Sequence, residues 1–247
     1  VARMGQYGMS GLIPINCASI IAGFAMSAAL PPKKIAVIGG GPAGLMAAQF
    51  ASAQGVEVHV YERKPSVGRK FLIAGRGGMN LTHSEAFEAF CSRYGAEHSR
   101  ISDWLKDFDN DAIRAWSADL GIDTFVGSSG RVFPTDMKAA PLLRAWLRRL
   151  RENGVQFDVN QMCLGFDKDR SLRMTSPDGE HTVHADAVVF GLGGGSWPQL
   201  GSDGAWQNWF AERSIAVNPL QAANCGFNFD WTDFFKQKFA GAPLKPL

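Results

Sequence analysis

Residues 33–62 read KKIAVIGGGPAGLMAAQFASAQGVEVHVYE, and the order of residue types in this stretch decides the fold. Ile35 to Ile38 is a short apolar run bounded by Pro31-Pro32 and by three glycines, the pattern of a buried parallel strand. Pro42 suits the first turn of a helix, Ala43 to Gln54 is rich in helix formers, and Gly55 stops it. A second strand is expected over Val56 to Tyr61. Strand, glycine turn, helix and strand in so few residues imply a right-handed crossover between two parallel strands, hence an α/β, Rossmann-like domain.

The turn carries G-x-G-x-x-G at Gly39, Gly41 and Gly44. Gly39 permits the tight turn, Gly41 removes a side chain that would obstruct a pyrophosphate, and Gly44 lets the helix approach the sheet. Pro42 and Ala43 then place the helix N-terminus against phosphate charge. Glu62 closes the second strand eighteen residues after Gly44, the interval expected of an acid that accepts hydrogen bonds from a ribose. An acid there selects a free ribose over a 2′-phosphate, although Arg63 is adjacent and can flank the adenosine. FAD and NAD both satisfy this first motif.

The next segment separates them. It reads ERKPSVGRKFLIAGRGGMNLTHSE over residues 62–85, with Gly68, Gly75, Gly77 and Gly78 interleaved with Arg69, Lys70 and Arg76. Four glycines within residues 68–78 cost too much chain entropy for a casual surface loop. A flavoprotein can run such a loop past the pyrophosphate toward the isoalloxazine, offering backbone N–H groups and cations.

The remaining chain supports a globular enzyme. It has 247 residues, of which 46% are hydrophobic, enough for one large domain or one and a half smaller ones. A net charge of +2 gives no reason to expect nucleic acid. Cys17, Cys91, Cys163 and Cys225 form no C-x-x-C pair, so neither a zinc site nor a redox dithiol is expected, and reduced cytoplasmic thiols are the simpler reading. Leu12 to Leu30 is apolar but interrupted by Pro14 and Asn16. We expect residues 1–32 to be a non-core extension, neither an export signal nor a membrane span.

Past Thr82 the pattern turns helical: Ala86 to Arg93, Ile101 to Phe108 and Asp111 to Leu120, a helical insertion over about 84–130, with Trp104 and Trp116 on apolar faces. Lys138 to Asn153 is a stronger helix that leaves Leu142, Leu143, Trp146, Leu147 and Leu150 facing inward and an arginine stripe (Arg144, Arg148, Arg149, Arg151) in solvent. Short strands are expected at Val155 to Val159, Met162 to Asp167, Ser171 to Thr175, His181 to Val183 and Ala187 to Phe190, with a turn at Pro177-Asp178-Gly179. A glycine-rich stretch, GLGGGSWPQLGSDG, follows the last of them.

The blocks GGGPAGLMAAQ, VYERKPSVGRKFLIAGRGGMNLTHSE, GRVFPTDMKA and GGGSWPQLGSDGAW together resemble the NAD(P)/FAD-dependent oxidoreductase family of the two-dinucleotide-binding-domain flavoproteins, of the aminoacetone-oxidase-like and bile-acid-reductase-like kind. The resemblance implies FAD as cofactor, NAD(P)H as a possible co-substrate and a small-molecule substrate, with no membrane partner. It places Gly39, Gly41, Pro42, Ala43, Gly44, Glu62, Arg63, Arg69, Lys70, Gly75 and Asn80 along the FAD. The strand around Cys163 is expected to offer backbone contacts to adenine, and Gly193 to stand where the chain passes the cofactor again. The resemblance also implies a cofactor domain over 33–205, with 206–247 opening a substrate domain that continues past Leu247.

No catalytic residue is evident. His83 is a candidate proton donor without an identified partner, and a capping or surface role is the simpler reading. Ser196, Asp203 and His98 show no triad spacing. Tyr61 is expected beneath the adenine or in the core. A flavin oxidoreductase leads, an NAD-binding dehydrogenase domain comes second, and a truncated, non-catalytic fragment comes third.

Overall fold

The computed structural model describes residues 34–74, 77–167, 169, 171–221 and 230–240. They fall into two compact units, divided between Ala216 and Val217. That break lies beyond the position 205/206 read from the sequence.

In the first unit, β1 (Lys34–Ile38), α1 (Pro42–Ser52) and β2 (Glu57–Glu62) form the expected unit, with the two strands parallel from Lys34↔Glu57 to Ile38↔Tyr61. Gly39 takes φ +106, and a Cβ there would stand 2.5 Å from the Gly191 carbonyl oxygen. Only glycine meets both conditions. A Cβ on Gly44 would stand 1.9 Å from Gly39 O, so the helix lies against the strand end at a distance that no side chain permits.

The chain continues through α2 (Arg69–Ala74), β3 (Thr82–His83), α3 (Phe87–Ser92), α4 (His98–Leu105), α5 (Asn110–Asp119), β4 (Thr124–Val126) and β5 (Arg131–Pro134) to α6 (Ala139–Glu152). After β6 (Gln156–Val159) come the antiparallel strands β7 (Met162–Phe166), β8 (Leu172–Ser176) and β9 (Gly179–Val183), then β10 (Ala187–Phe190) and α7 (Trp206–Glu212). The parallel sheet has the order β10-β1-β2-β6.

Each face of this sheet has its own cover. Val58 and Val60 of β2 pack with Leu45 and Ala48 of α1 and with Leu142, Trp146 and Leu150 of α6. Each of the buried valine and leucine side chains contributes roughly 1.5–3 kcal/mol. Tyr61, one step out of phase, joins Ala36, Ile38, Cys163, Leu172 and Met174 beneath the β7-β8-β9 meander. Ala36 and Val37 have no exposed surface, as a central strand covered on both sides requires.

Three expectations are corrected. The stretch after the ribose acid is not glycine loop throughout: Arg69–Ala74 winds into α2, with Leu72 N–H donating to Gly68 O. The segment read as a helical insertion over about 84–130 contains the strand β4, which joins β3 and β5 at its borders in a second sheet, β3-β5-β4; strands of two to four residues are too short to show a period-two pattern. Trp104 is 58% exposed, whereas Trp116 is buried. The arginine stripe of α6 also takes partners: Arg149 donates to the Asp119 carboxylate at 2.7 Å, and Arg151 lies over the Phe157 ring.

Among the described residues no group of His, Cys, Asp and Glu is arranged to hold a metal, and no helix is long and apolar enough to cross a membrane. Cys91 and Cys163 are free and buried, while Cys17 and Cys225 lie outside the described residues. In the second unit, α8 (Asp233–Phe239) is capped by the Thr232 hydroxyl, which accepts from Phe235 N–H, and Trp231 stacks on Phe235.

Candidate nucleotide-binding site

The end of β2 meets the turn after β1 through one side chain. Glu62 Oε2 accepts the Gly40 N–H at 2.9 Å, and its Oε1 accepts the Lys64 N–H at 2.8 Å. A carboxylate has about four acceptor positions, so two remain for the hydroxyls of a sugar. Backbone bonds close the same corner, from Gly39 N–H to Tyr61 O and from Gly68 N–H to Gly40 O, both 2.8 Å.

Beside this corner, α1 begins without a side-chain cap and without an acid in its first turn. The positive end of its dipole therefore has no counter-charge of its own, the condition for phosphate binding. A Cβ on Gly41 would meet nothing within 4 Å. The open volume lies where the fingerprint requires it, so the residues present fit a pyrophosphate.

A cavity of about 850 Å³ runs through this point. Its lining includes Tyr61, Glu62, Arg63, Cys163, Leu164 and Gly193 with Trp206 and Trp209, together with the apolar Met46, Met79, Leu81, Ile113, Trp116 and Trp146. Of the residues singled out from the sequence, Gly39, Gly41, Pro42, Ala43, Glu62, Arg63, Arg69, Lys70, Cys163 and Gly193 all line it. Gly44 supports the turn from beneath. Asn80 is exposed and lies outside the lining, although its neighbours Met79 and Leu81 are part of it. Gly75 and Arg76 fall outside the described residues.

The register of β7 against β8 slips between Cys163 and Gly165, leaving Leu164 as the extra residue of a bulge. Cys163 and Leu164 both line the cavity. Burial pushes the pKa of the Cys163 thiol up, and the thiol donates to Gly165 O.

Two of the three cations that line the cavity, Lys70 and Arg63, are held by the Gly194–Asp203 loop. Lys70 Nζ donates to Ser196 Oγ at 3.2 Å, and Arg63 Nη1 donates to Asp203 Oδ2 at 2.9 Å. Burial alone would raise the Asp203 carboxyl. The Arg63 hydrogen bond and the Ala205 amide outweigh it and hold that carboxyl below the usual carboxylate range.

His83 stands elsewhere. Its Nε2 faces Ser129 O at 3.0 Å, its Nδ1 accepts the Glu85 N–H at 3.2 Å, and it does not line the cavity. It ties β3 to the loop before β5, a structural role. Sequence reasoning missed Gln49, whose Oε1 accepts both indole N–H groups of Trp116 (3.2 Å) and Trp146 (2.7 Å). It also missed Trp206, which donates to Gly193 O, and Trp209, whose indole covers Gly165. The only signal for that aromatic wall was the tryptophan ending the last glycine-rich block.

The chain is 30% identical over 175 residues to the 3-dehydro-bile acid delta(4,6)-reductase of Clostridium scindens, a match that covers 70% of this chain and 42% of that protein. It thus spans less than half the length of this curated relative. Its fold is similar to the open conformation of a flavocytochrome c3 fumarate reductase, with a TM-score of 0.51 and 19% identity over 78% of this chain and 38% of the other. Residues 33–232 match the family model described as the HI0933-like protein Rossmann domain, and the chain belongs to that family.

Proposed function

We propose that this chain is the FAD-binding part of a flavin-dependent oxidoreductase that acts on a small organic molecule. The observation that carries the proposal is the alignment of the Glu62 carboxylate, the uncapped start of α1 and the open space over Gly41 along one wall of a single cavity. Sugar and diphosphate have complementary partners there. The apolar lining that includes Met46, Ile113 and Trp116 favours a second, flat apolar ring over nicotinamide riboside, and hence FAD over NAD.

FAD, when bound, supplies hydride transfer through its N5. The residues of this chain bind and orient it: Glu62 grips the ribose, the α1 amides neutralise the diphosphate, and the strand bulge at Cys163 to Gly165 presents main-chain groups to the adenine. Arg69 and Lys70 put positive charge along the same cavity. The likeness to a bile acid reductase supports the reductive direction, with NAD(P)H as the reductant. Free buried Cys91 and Cys163 support a cytoplasmic setting.

Purification followed by a visible spectrum and chromatography of the heat-released cofactor tests this reading. A yellow protein releasing FAD is the expected result. Release of FMN or NAD, or failure to take up added FAD, overturns it.

A further inference from the structure

Arg63 and Asp203 are 140 residues apart in the chain and meet at the cavity, which both line. An arginine beside the ribose acid is the kind of group that receives a 2′-phosphate, because its planar fork matches phosphate oxygens. In this structure the fork is already engaged. Nη1 donates to Asp203 Oδ2 at 2.9 Å and Nη2 to Pro198 O at 3.4 Å. The buried Nε has no acceptor and lies against Gly201, where an added Cβ would stand 3.0 Å away.

Asp203 is itself anchored, its Oδ1 accepting the Ala205 N–H at 3.2 Å. Both ends of the pair are only partly exposed, 26% for the Arg63 side chain and 35% for that of Asp203. Two carboxylates, Glu62 and Asp203, therefore border the place of the ribose, and the charge of Arg63 is cancelled.

From this arrangement we infer that Asp203 is a specificity-determining residue: by occupying Arg63 it makes the nucleotide site refuse a 2′-phosphorylated adenosine. The inference rests on the dinucleotide reading of the cavity. With Asp203 neutral, Arg63 regains a free fork and an uncancelled positive charge next to the ribose. Adenosine selectivity in this chain then belongs to a pair of acids, Glu62 on the strand and Asp203 on the remote loop.

The test compares ADP-ribose with 2′-phospho-ADP-ribose, which differ only in the phosphate. Each is titrated calorimetrically into the full chain freed of bound nucleotide. The wild type is expected to favour ADP-ribose by at least about tenfold, the scale of one or two uncompensated charges at a partly exposed site. Asp203→Asn, which keeps an oxygen for the Ala205 amide, is expected to narrow that preference by at least about fivefold. Arg63→Met added to Asp203→Asn is expected to abolish the gain. Asp203→Ser, another residue able to accept from the Ala205 amide, serves if the Asn variant is unstable, and Asp203→Glu is expected to keep the wild-type preference. Binding of ADP-ribose with a preference unchanged by Asp203→Asn or Asp203→Ser overturns the inference and leaves the nucleotide site standing. If the wild type binds neither probe, the nucleotide reading falls and takes the inference with it.

Discussion

The Glu62 carboxylate accepts the backbone N–H of Gly40 at 2.9 Å, joining the tip of β2 to the turn that follows β1 across 22 residues of chain. The bond ties the carboxylate to the turn, and Glu62 lines the cavity there. The chain's own Gly40 and Lys64 amides therefore hold the Glu62 carboxylate in place.

Glu62→Gln keeps the shape and loses the charge. Its amide can accept only through one oxygen, so either Gly40 or Lys64 loses its partner. Hydrogen bonds to a charged group are worth about 1.5–3 kcal/mol, and FAD affinity is expected to fall by about ten- to a hundredfold. Equilibrium dialysis measures this; undiminished affinity would remove Glu62 from the ribose.

Two glycines of the fingerprint are expected to part company. Gly41 has φ −82 and open space around its missing Cβ, so Gly41→Ala should fold with stability changed by less than about 0.5 kcal/mol yet lose the cofactor. Gly44→Ala has no room, with Gly39 O at 1.9 Å, and is expected to yield insoluble protein or a Tm lowered by many degrees. Thermal melts and flavin content read both outcomes.

Gln49→Leu removes the one oxygen shared by the indoles of Trp116 and Trp146. Two largely buried donors are left unmatched, at about 1–3 kcal/mol each. Urea unfolding is expected to show a loss of about 2–4 kcal/mol with altered near-ultraviolet circular dichroism. Gln49→Glu, which keeps acceptors there, is expected to lose less.

Tyr61 carries a pH signature. Burial, followed by the nearby Asp158 and Glu57 carboxylates, pushes its phenol up from 10.0 to about 12. The native state therefore holds a proton that the unfolded chain has released over that window. Stability attributable to Tyr61 is full below pH 10, falls as pH rises from 10, and is lost by about 12. Ultraviolet titration should show Tyr61 ionising late, and Tyr61→Phe should flatten the alkaline decline.

The core of the site was legible in residues 33–62 because its signals are local: strand-length apolar runs, a proline that starts a helix, and glycines where a side chain has no room. Gln49 was not legible. Nothing in a helix-forming run distinguishes the glutamine that will meet two tryptophans from α5 and α6, since that contact exists only after three helices have packed. The β3-β5-β4 sheet escaped for a related reason. Strands of two to four residues gain their identity from partners that are distant in sequence.

By itself the sequence determined the order β1-α1-β2, the glycine turn and the presence of an acid at the end of β2, all consequences of short-range sterics and periodicity. Tertiary structure alone decided that Arg63 spends its charge on Asp203, that Lys70 reaches Ser196, and that a bulge at Leu164 stands in the cavity wall. Those relationships depend on where the Gly194–Asp203 loop and the meander come to rest. That placement follows from packing two covers onto opposite faces of one sheet, which no local run of residues encodes.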